Sequence, residues 1–360
     1  MNDPIQPWYA AAIQMPTEIL WPHPAAEVPT VIAANIATAT AAVRDAVDSD
    51  PRPSLILLPE YAFTGQPNGG TVAGWLEKGC APVPGPLTAH FGSLARELGV
   101  YIGGNQFESD PEWPDRFFNT SWLIDPDGEV ILRYRRVHTA MWCSPHDVWD
   151  DYLARYGGLD AVWPVVDTPL GRIAMVPCGE IAVPETVRTV ALRGAEVLLH
   201  PTWETRTPGQ DAAKIVAAAG NGMYVISTNV SGSFHDGAVD NRPSNDEVGS
   251  GTQIVAPSGV QLAVENEHVP AILKAEIDVE AVRALRSTLS MANPLLRLRM
   301  ETVAATYQSS LYPPNAFLDL PLREYSQIER PAAVARTRLD SLATTTPAGG
   351  VPARVGGGAR

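Results

Sequence analysis

The sequence predicts an α/β domain, a mixed β-sheet with helices packed outside it. Strand-length apolar runs alternate with segments of helical spacing, and two turn-centred hairpins interrupt that alternation. Hydrophobic residues at 45% against charged residues at 18% give the globular balance that such a core needs and exclude a disordered chain. The 360 residues fit one large domain as well as two small ones, and with no internal repeat the chain reads as one domain plus a tail.

Taken in order, residues 9–15 (YAAAIQM) form an apolar run of strand length, and 28–47 place Val28, Ile32, Ile36 and Val43 at helical spacing. Residues 55–58 (LILL) are an uninterrupted apolar stretch stopped by Pro59, the signature of a strand buried on both faces. A helix over 88–98 and a strand over 100–104 follow. Residues 117–125 and 129–135 pair around Asp125-Pro126-Asp127-Gly128, a strong hairpin turn. Beyond a looser stretch from 137 to 163, strand 172–177, helix 184–193, strand 196–200, helix 211–220 and strand 223–228 restore the alternation. A second hairpin joins 251–256 to 260–264 around Pro257-Ser258-Gly259. The polar segment 232–250 reads as a mobile loop, and the pattern weakens from about 282. The expected boundaries are a domain over 1–285, an extension over 286–338 packing at a subunit interface, and a disordered Gly/Pro/Thr-rich tail over 339–360.

The formal net charge of −14 argues against nucleic acid as a partner, because sequence-independent affinity for phosphates needs clustered cations. Three cysteines, Cys80, Cys143 and Cys178, are too few and too scattered for a disulfide framework or a zinc cluster. No metal or organic cofactor is implied. The start of the chain has neither a basic region nor an apolar one of signal type, and no apolar run reaches the ~18 residues of a membrane span. A soluble, cytoplasmic protein is the expectation. Lys78, Lys214 and Lys274 are the three lysines among 26 basic residues.

Motifs for phosphate cradles, serine elbows, dinucleotide turns and HExxH zinc helices are missing from the sequence. His138 and His146 lack acidic or Cys partners at metal-ligand spacing and read as surface or packing residues. Polar residues at the ends of buried strands are more informative, since ligands meet open α/β sheets there. Glu60 directly follows LILLP, and Cys178 follows IAMVP in the same way. A carboxylate so placed is partly desolvated, which raises its pKa and suits it to proton transfer, and a thiol beside it can be activated as a nucleophile. The pattern alone equally admits structural roles, with Glu60 capping a helix and Cys178 simply buried.

Six blocks in order tip the balance: LLPEYAFTG (57–65), VPGPLT…LARELGVYIGG (83–104), FNTSWLIDPDGEVILRYRRVH (118–138), PCGE…PETVRTVALRGAEVLLHPT (177–202), NGMYVISTNVSG (221–232) and GSGTQIVAPSGVQLA (249–263). Together they resemble the nitrilase superfamily of carbon–nitrogen hydrolases over about residues 9–280. The resemblance implies a four-layer αββα sandwich, assembly into homodimers or higher homo-oligomers, and a Glu–Lys–Cys catalytic set. Glu60 and Cys178 match the base and the nucleophile. The Lys position, in a pattern like Y-R-K-x-H, is occupied here by Arg136. Arginine keeps a positive charge but cannot realistically give up a proton.

The implied reaction is attack of the Cys178 thiolate on an amide carbonyl or a nitrile carbon. Glu60 shuttles the protons, and the Gly179 N–H donates to the developing anion. Substrate-placing roles are expected of Trp203, Asp147 and Trp142, with Asp150 and Asp151 as alternatives to Asp147. Trp122, Trp149 and Trp163 read as pocket lining or packing, and Glu185 as a helix brace. Glu180 leans towards the nitrilases, but nitrile hydrolysis must protonate a poorly basic nitrogen early, which an arginine serves badly. A small amide therefore ranks first as substrate. A nitrile, acyl transfer to an amine, and a non-catalytic protein follow.

Overall fold

The computed structural model describes residues 4–67, 70–139, 143–231 and 249–345. Two sheets form its centre. The first contains β1 (Trp8–Gln14), β2 (Leu55–Leu57), β3 (Cys80–Ala81), β4 (Tyr101–Ser109), β5 (Phe117–Ile124), β6 (Val130–Arg135) and β13 (Ala271–Ile277), in the order β13-β1-β2-β4-β5-β6 with β3 paired to β4. The second contains β7 (Val166–Thr168), β8 (Gly171–Met175), β9 (Val197–Pro201), β10 (Tyr224–Thr228), β11 (Gln253–Val255) and β12 (Gln261–Val264), in the order β12-β11-β10-β9-β8-β7.

The layers follow from the alternation of side chains along strands that are apolar on both faces. Ala10, Ala12, Leu55 and Leu57 face the other sheet and pack with Ile173, Met175, Val197 and Leu199. Their neighbours Ala11, Ile13, Ile56 and Leu58 face outward, against Ala39, Val43 and Ala46 of α1 (Val28–Asp48) and Phe91 and Leu94 of α3 (Pro86–Leu98). On the opposite side Ala174, Leu198 and Val225 meet Val187 and Val190 of α6 (Pro184–Leu192) and Ala217 and Ala218 of α7 (Pro208–Asn221). The result is the four-layer αββα sandwich.

The parallel pairs β1–β2, β2–β4, β8–β9 and β9–β10 aim their carboxyl ends the same way within each sheet. The antiparallel β5–β6 hairpin brings Arg135 beside Thr120, and the chain leaves it at Arg136. Three segments thus end at one rim. The α3 helix braces that hairpin through a very close approach. A Cβ on Gly92 would lie 2.5 Å from the Gly128 carbonyl oxygen at the hairpin turn, so only glycine fits.

Several elements lie outside the pattern read from the sequence. β13 pairs with β1 along its whole length, and α8 (Val279–Ser287) follows it. The helices α2 (Val72–Gly79), α4 (Trp149–Tyr156), α5 (Leu159–Val162) and α9 (Glu329–Thr345) are further additions. α9 runs past 339, where composition predicts a tail, and only 346–360 lie outside the described residues. The extension also packs on its own chain. Phe317 and Leu322 are buried with Phe107, Phe117 and Trp203, and the Phe317 N–H donates to the Asp147 carbonyl at 3.0 Å. Of the loop expected over 232–250, residues 232–248 fall outside the described residues.

Replacing Gly92 by alanine tests the brace. Alanine is favoured inside a helix by about 1 kcal/mol, but forcing a methyl against a backbone oxygen costs about 1–3 kcal/mol. The clash should win, and denaturant unfolding of Gly92→Ala should show net destabilisation.

Candidate active site

Glu60 sits two residues beyond Leu58, at the mouth of β2, and is completely buried. Its Oε1 accepts from Asn119 Nδ2 at 2.7 Å and lies 3.5 Å from Arg136 Nη1, while its Oε2 accepts from the Trp203 backbone N–H at 3.1 Å. Asn119 is itself oriented, because its Oδ1 accepts from Asn105 Nδ2 at 2.7 Å and its Nδ2 also reaches the Tyr61 hydroxyl at 2.9 Å. Burial pushes the Glu60 carboxyl above the usual carboxylate range. The Arg136 charge and then the Asn119 hydrogen bond oppose that rise without cancelling it.

Cys178 follows β8 through Val176 and Pro177 and opens a 3-10 turn, Cys178–Ala182. Its φ of 49° lies in the left-handed region, as does that of Tyr61 at 54°. Such backbone costs about 1–3 kcal/mol per residue and persists only where surroundings enforce it. Here His200 supplies the enforcement. Its Nε2 is 2.9 Å from the Cys178 carbonyl oxygen and its Nδ1 is 2.8 Å from Ser227 Oγ. Burial lowers the His200 pKa to about 4, so the ring is neutral at pH 7. A carbonyl can only accept, which fixes the proton on Nε2 and leaves Nδ1 to accept from Ser227. The half-buried Cys178 thiol donates to the Trp203 carbonyl at 3.6 Å. Burial and then the Glu60 charge raise its pKa, with Arg136 pulling the other way. The resting sulfur is therefore a thiol that needs a base.

Arg136 leaves β6 with its N–H bonded to the Asn119 carbonyl at 2.9 Å, and its Nε donates to the His138 carbonyl at 3.3 Å. Nη2 lies 3.4 Å from where a Cβ on Gly179 would stand, which sets the guanidinium against the backbone just after the sulfur. Burial works against its charge, yet the neighbouring acidic groups of Cys178, Tyr61 and Glu60 outweigh that and raise its pKa. It stays a cation.

Glu180 fastens this segment from the other side. Its carboxylate accepts from the Tyr134 hydroxyl at 2.9 Å, the Val137 N–H at 3.0 Å and the His138 N–H at 2.5 Å, clamping the two residues after Arg136. This is an anchor for the guanidinium, a use that its place two residues after Cys178 does not reveal.

The predicted residues thus divide. Glu60, Arg136, Cys178 and Gly179 come together. Trp203 joins them through its peptide group, and its ring is buried beside Tyr61, 6.3 Å between centroids. Asp147 is buried and caps its own turn by accepting from the Ser144 N–H at 2.8 Å, so its carboxylate is committed to the backbone, and burial lifts its pKa to about 6. Trp142 lies outside the described residues. Asn119, Tyr61 and His200 are the residues around this cluster that sequence reasoning missed. Asn119 and His200 stand inside the matched blocks, where a polar residue in an otherwise apolar strand is the available signal.

The carbon–nitrogen hydrolase family model matches residues 9–287 of the chain. A formamidase from Bacillus cereus (strain Q1) is 31% identical over 235 residues, covering 64% of this chain and 65% of that protein. Among solved structures, a carbon–nitrogen hydrolase from Helicobacter pylori G27 gives a TM-score of 0.62 at 20% identity, covering 85% of this chain and 99% of that one. Nit3 of Saccharomyces cerevisiae, a member of branch 10 of the nitrilase superfamily, gives 0.60 at 20% identity, covering 83% and 99%. A mutant of the amidase from Nesterenkonia sp. AN1, with the acetamide moiety of fluoroacetamide added covalently at its active-site cysteine, gives 0.58 at 18% identity, covering 83% and 96%. The fold and site define a nitrilase-type αββα protein. This chain belongs to the carbon–nitrogen hydrolase family.

The Glu180 clamp is testable. Glu180→Ala leaves the buried Val137 N–H and the part-buried His138 N–H unpaired, at up to about 1–3 kcal/mol each, and should lower unfolding stability accordingly. Glu180→Gln keeps an acceptor for both donors and should cost far less. Burial raises the Glu180 pKa from 4.5 to about 7 in the fold. The folded state therefore holds that proton more tightly, and stability from this group falls as pH rises from 4.5 to about 7. Glu180→Gln should remove that part of the slope in denaturant midpoints measured across the interval.

Proposed function

We propose that this chain hydrolyses the carbon–nitrogen bond of a small amide through a Cys178 thioester. The observation that carries the reading is the Trp203 peptide group, whose N–H holds the Glu60 carboxylate and whose carbonyl accepts from the Cys178 thiol. One rigid unit thereby fixes base and nucleophile together. The formamidase and amidase relatives support an amide as substrate.

In acylation, Glu60 takes the thiol proton as the sulfur bonds to the carbonyl carbon, and the carbonyl electrons move onto oxygen. Gly179 N–H and the Arg136 cation stabilise that oxyanion. The protonated Glu60 then delivers its proton to nitrogen, the carbon–nitrogen bond breaks and the amine leaves. In deacylation, water loses a proton to Glu60 as its oxygen bonds to the thioester carbon. Collapse expels the sulfur, which recovers the proton. Arg136 acts by charge alone. Assembly as a homodimer or larger homo-oligomer and a cytoplasmic location belong to the same proposal. The exposed Leu289, Met291, Met300 and Tyr307 support an assembly, and no described helix is long and apolar enough to cross a membrane.

Intact-mass analysis after mixing the protein with an amide panel tests the reading. An acyl adduct should appear on the wild type and map to Cys178. It should be lost in Cys178→Ala, and turnover should fall by at least about 10³-fold, the scale on which removing a catalytic group acts. Glu60→Gln, close in shape, should abolish turnover while leaving the fold intact. Arg136→Lys should change kcat more than stability. Undiminished turnover in either of the first two variants overturns the proposal.

A further inference from the structure

The loop after β9 carries a second carboxylate, one residue beyond the Trp203 carbonyl that accepts from the Cys178 thiol. Glu204 follows Trp203, the residue bonded to both Glu60 and Cys178, and its main chain is held rigidly. Its N–H donates to Asn229 Oδ1 at 3.3 Å, and its carbonyl accepts from Asn229 Nδ2 at 2.9 Å. The side chain is only 4% exposed. Lys214 Nζ of α7, wholly buried, lies 2.7 Å from Oε1 as an ion pair without hydrogen-bond alignment, and donates to the Gly251 carbonyl at 3.3 Å. Among the described residues Oε2 has no hydrogen-bond partner. The Glu204 charge is near enough to push the Cys178 thiol upward and to act on His200.

A buried carboxylate oxygen left unpaired is costly, and Lys214 Nζ, 2.7 Å from Oε1, leaves Oε2 without a donor. Beside a nucleophile, what it lacks is a donor brought by the substrate. We infer that Glu204 is a specificity-determining residue, its Oε2 accepting an N–H of the amide bound at Cys178, so that this site favours amides over nitriles. A nitrile nitrogen carries no hydrogen and presents a lone pair, which the carboxylate repels. An ester likewise offers no N–H but is still open to attack by the sulfur. The inference rests on the proposed amide hydrolysis and adds the residue that selects the substrate.

The test compares an amide, the nitrile and an activated ester that share one acyl group, on the wild type, Glu204→Gln and the double variant Glu204→Gln/Lys214→Met. The double variant removes both buried charges and guards against misfolding from an uncompensated lysine. A charge-assisted hydrogen bond accounts for about tenfold to a hundredfold in selectivity. The ratio of amide to ester kcat/KM should fall by that factor in both variants, and the ratio of amide to nitrile should fall with it. Unchanged ratios, with ester turnover still dependent on Cys178, overturn the role of Glu204 and leave the thioester reading standing. A wild type that acylates Cys178 from none of the three overturns both.

Discussion

The structure turns on one buried charge. Glu60 is cut off from water, and a lone carboxylate in such a place would protonate. Two N–H donors, from Asn119 and Trp203, and the nearby Arg136 cation supply what water would have given. The opposed influences leave a carboxyl raised above its usual range, the direction in which a carboxylate becomes a better proton acceptor. Each contributor comes from a different element, so the charge is kept only if β2, β6 and β9 end, and β5 begins, at the same rim.

Arginine at position 136 fits that requirement in a way its replacement by a neutral residue would not. Its pKa is driven up by the acidic groups of Cys178, Tyr61 and Glu60 around it, so it cannot exchange protons with either reacting partner. Proton traffic is left to Glu60, and the guanidinium serves as a fixed electrostatic wall beside Gly179. Glu180 then acts on Arg136 indirectly, by gripping the backbone of Val137 and His138. A second buried pair, Lys214 with Glu204, stands on the helix and loop of the other sheet. The rim thus sets two basic residues among its carboxyl groups: Arg136 near Glu60 and Glu180, and Lys214 beside Glu204.

Much of this was legible in the sequence because the strands are buried on both faces and read as unbroken apolar runs. LILL before Pro59 and IAMV before Pro177 marked the strand ends, and Glu60 and Cys178 stood out as polar residues immediately after them. β13 was missed for the opposite reason. It is an edge strand carrying Lys274 and Glu276, and Lys274 Nζ donates to the Pro51 carbonyl at 2.8 Å, so its pattern is mixed. Asp147 illustrates a different limit. An acidic residue in an acidic chain looks the same whether it faces a substrate or caps a turn, and only the contact with the Ser144 N–H decides. Glu204 and Lys214 were opaque because ten residues and a change from loop to helix separate two groups that meet in space.

The most direct test of the buried-charge account is the protonation of Glu60 itself. Difference infrared spectra of the wild type against Glu60→Gln, recorded across pH, isolate the carbonyl stretch of that one carboxylic acid. The band should persist as pH rises past 4.5, the ordinary value for a glutamate, and vanish at a higher pH. A band already gone at or below that value would show that Glu60 is solvated or paired as an ordinary carboxylate, and would contradict the account.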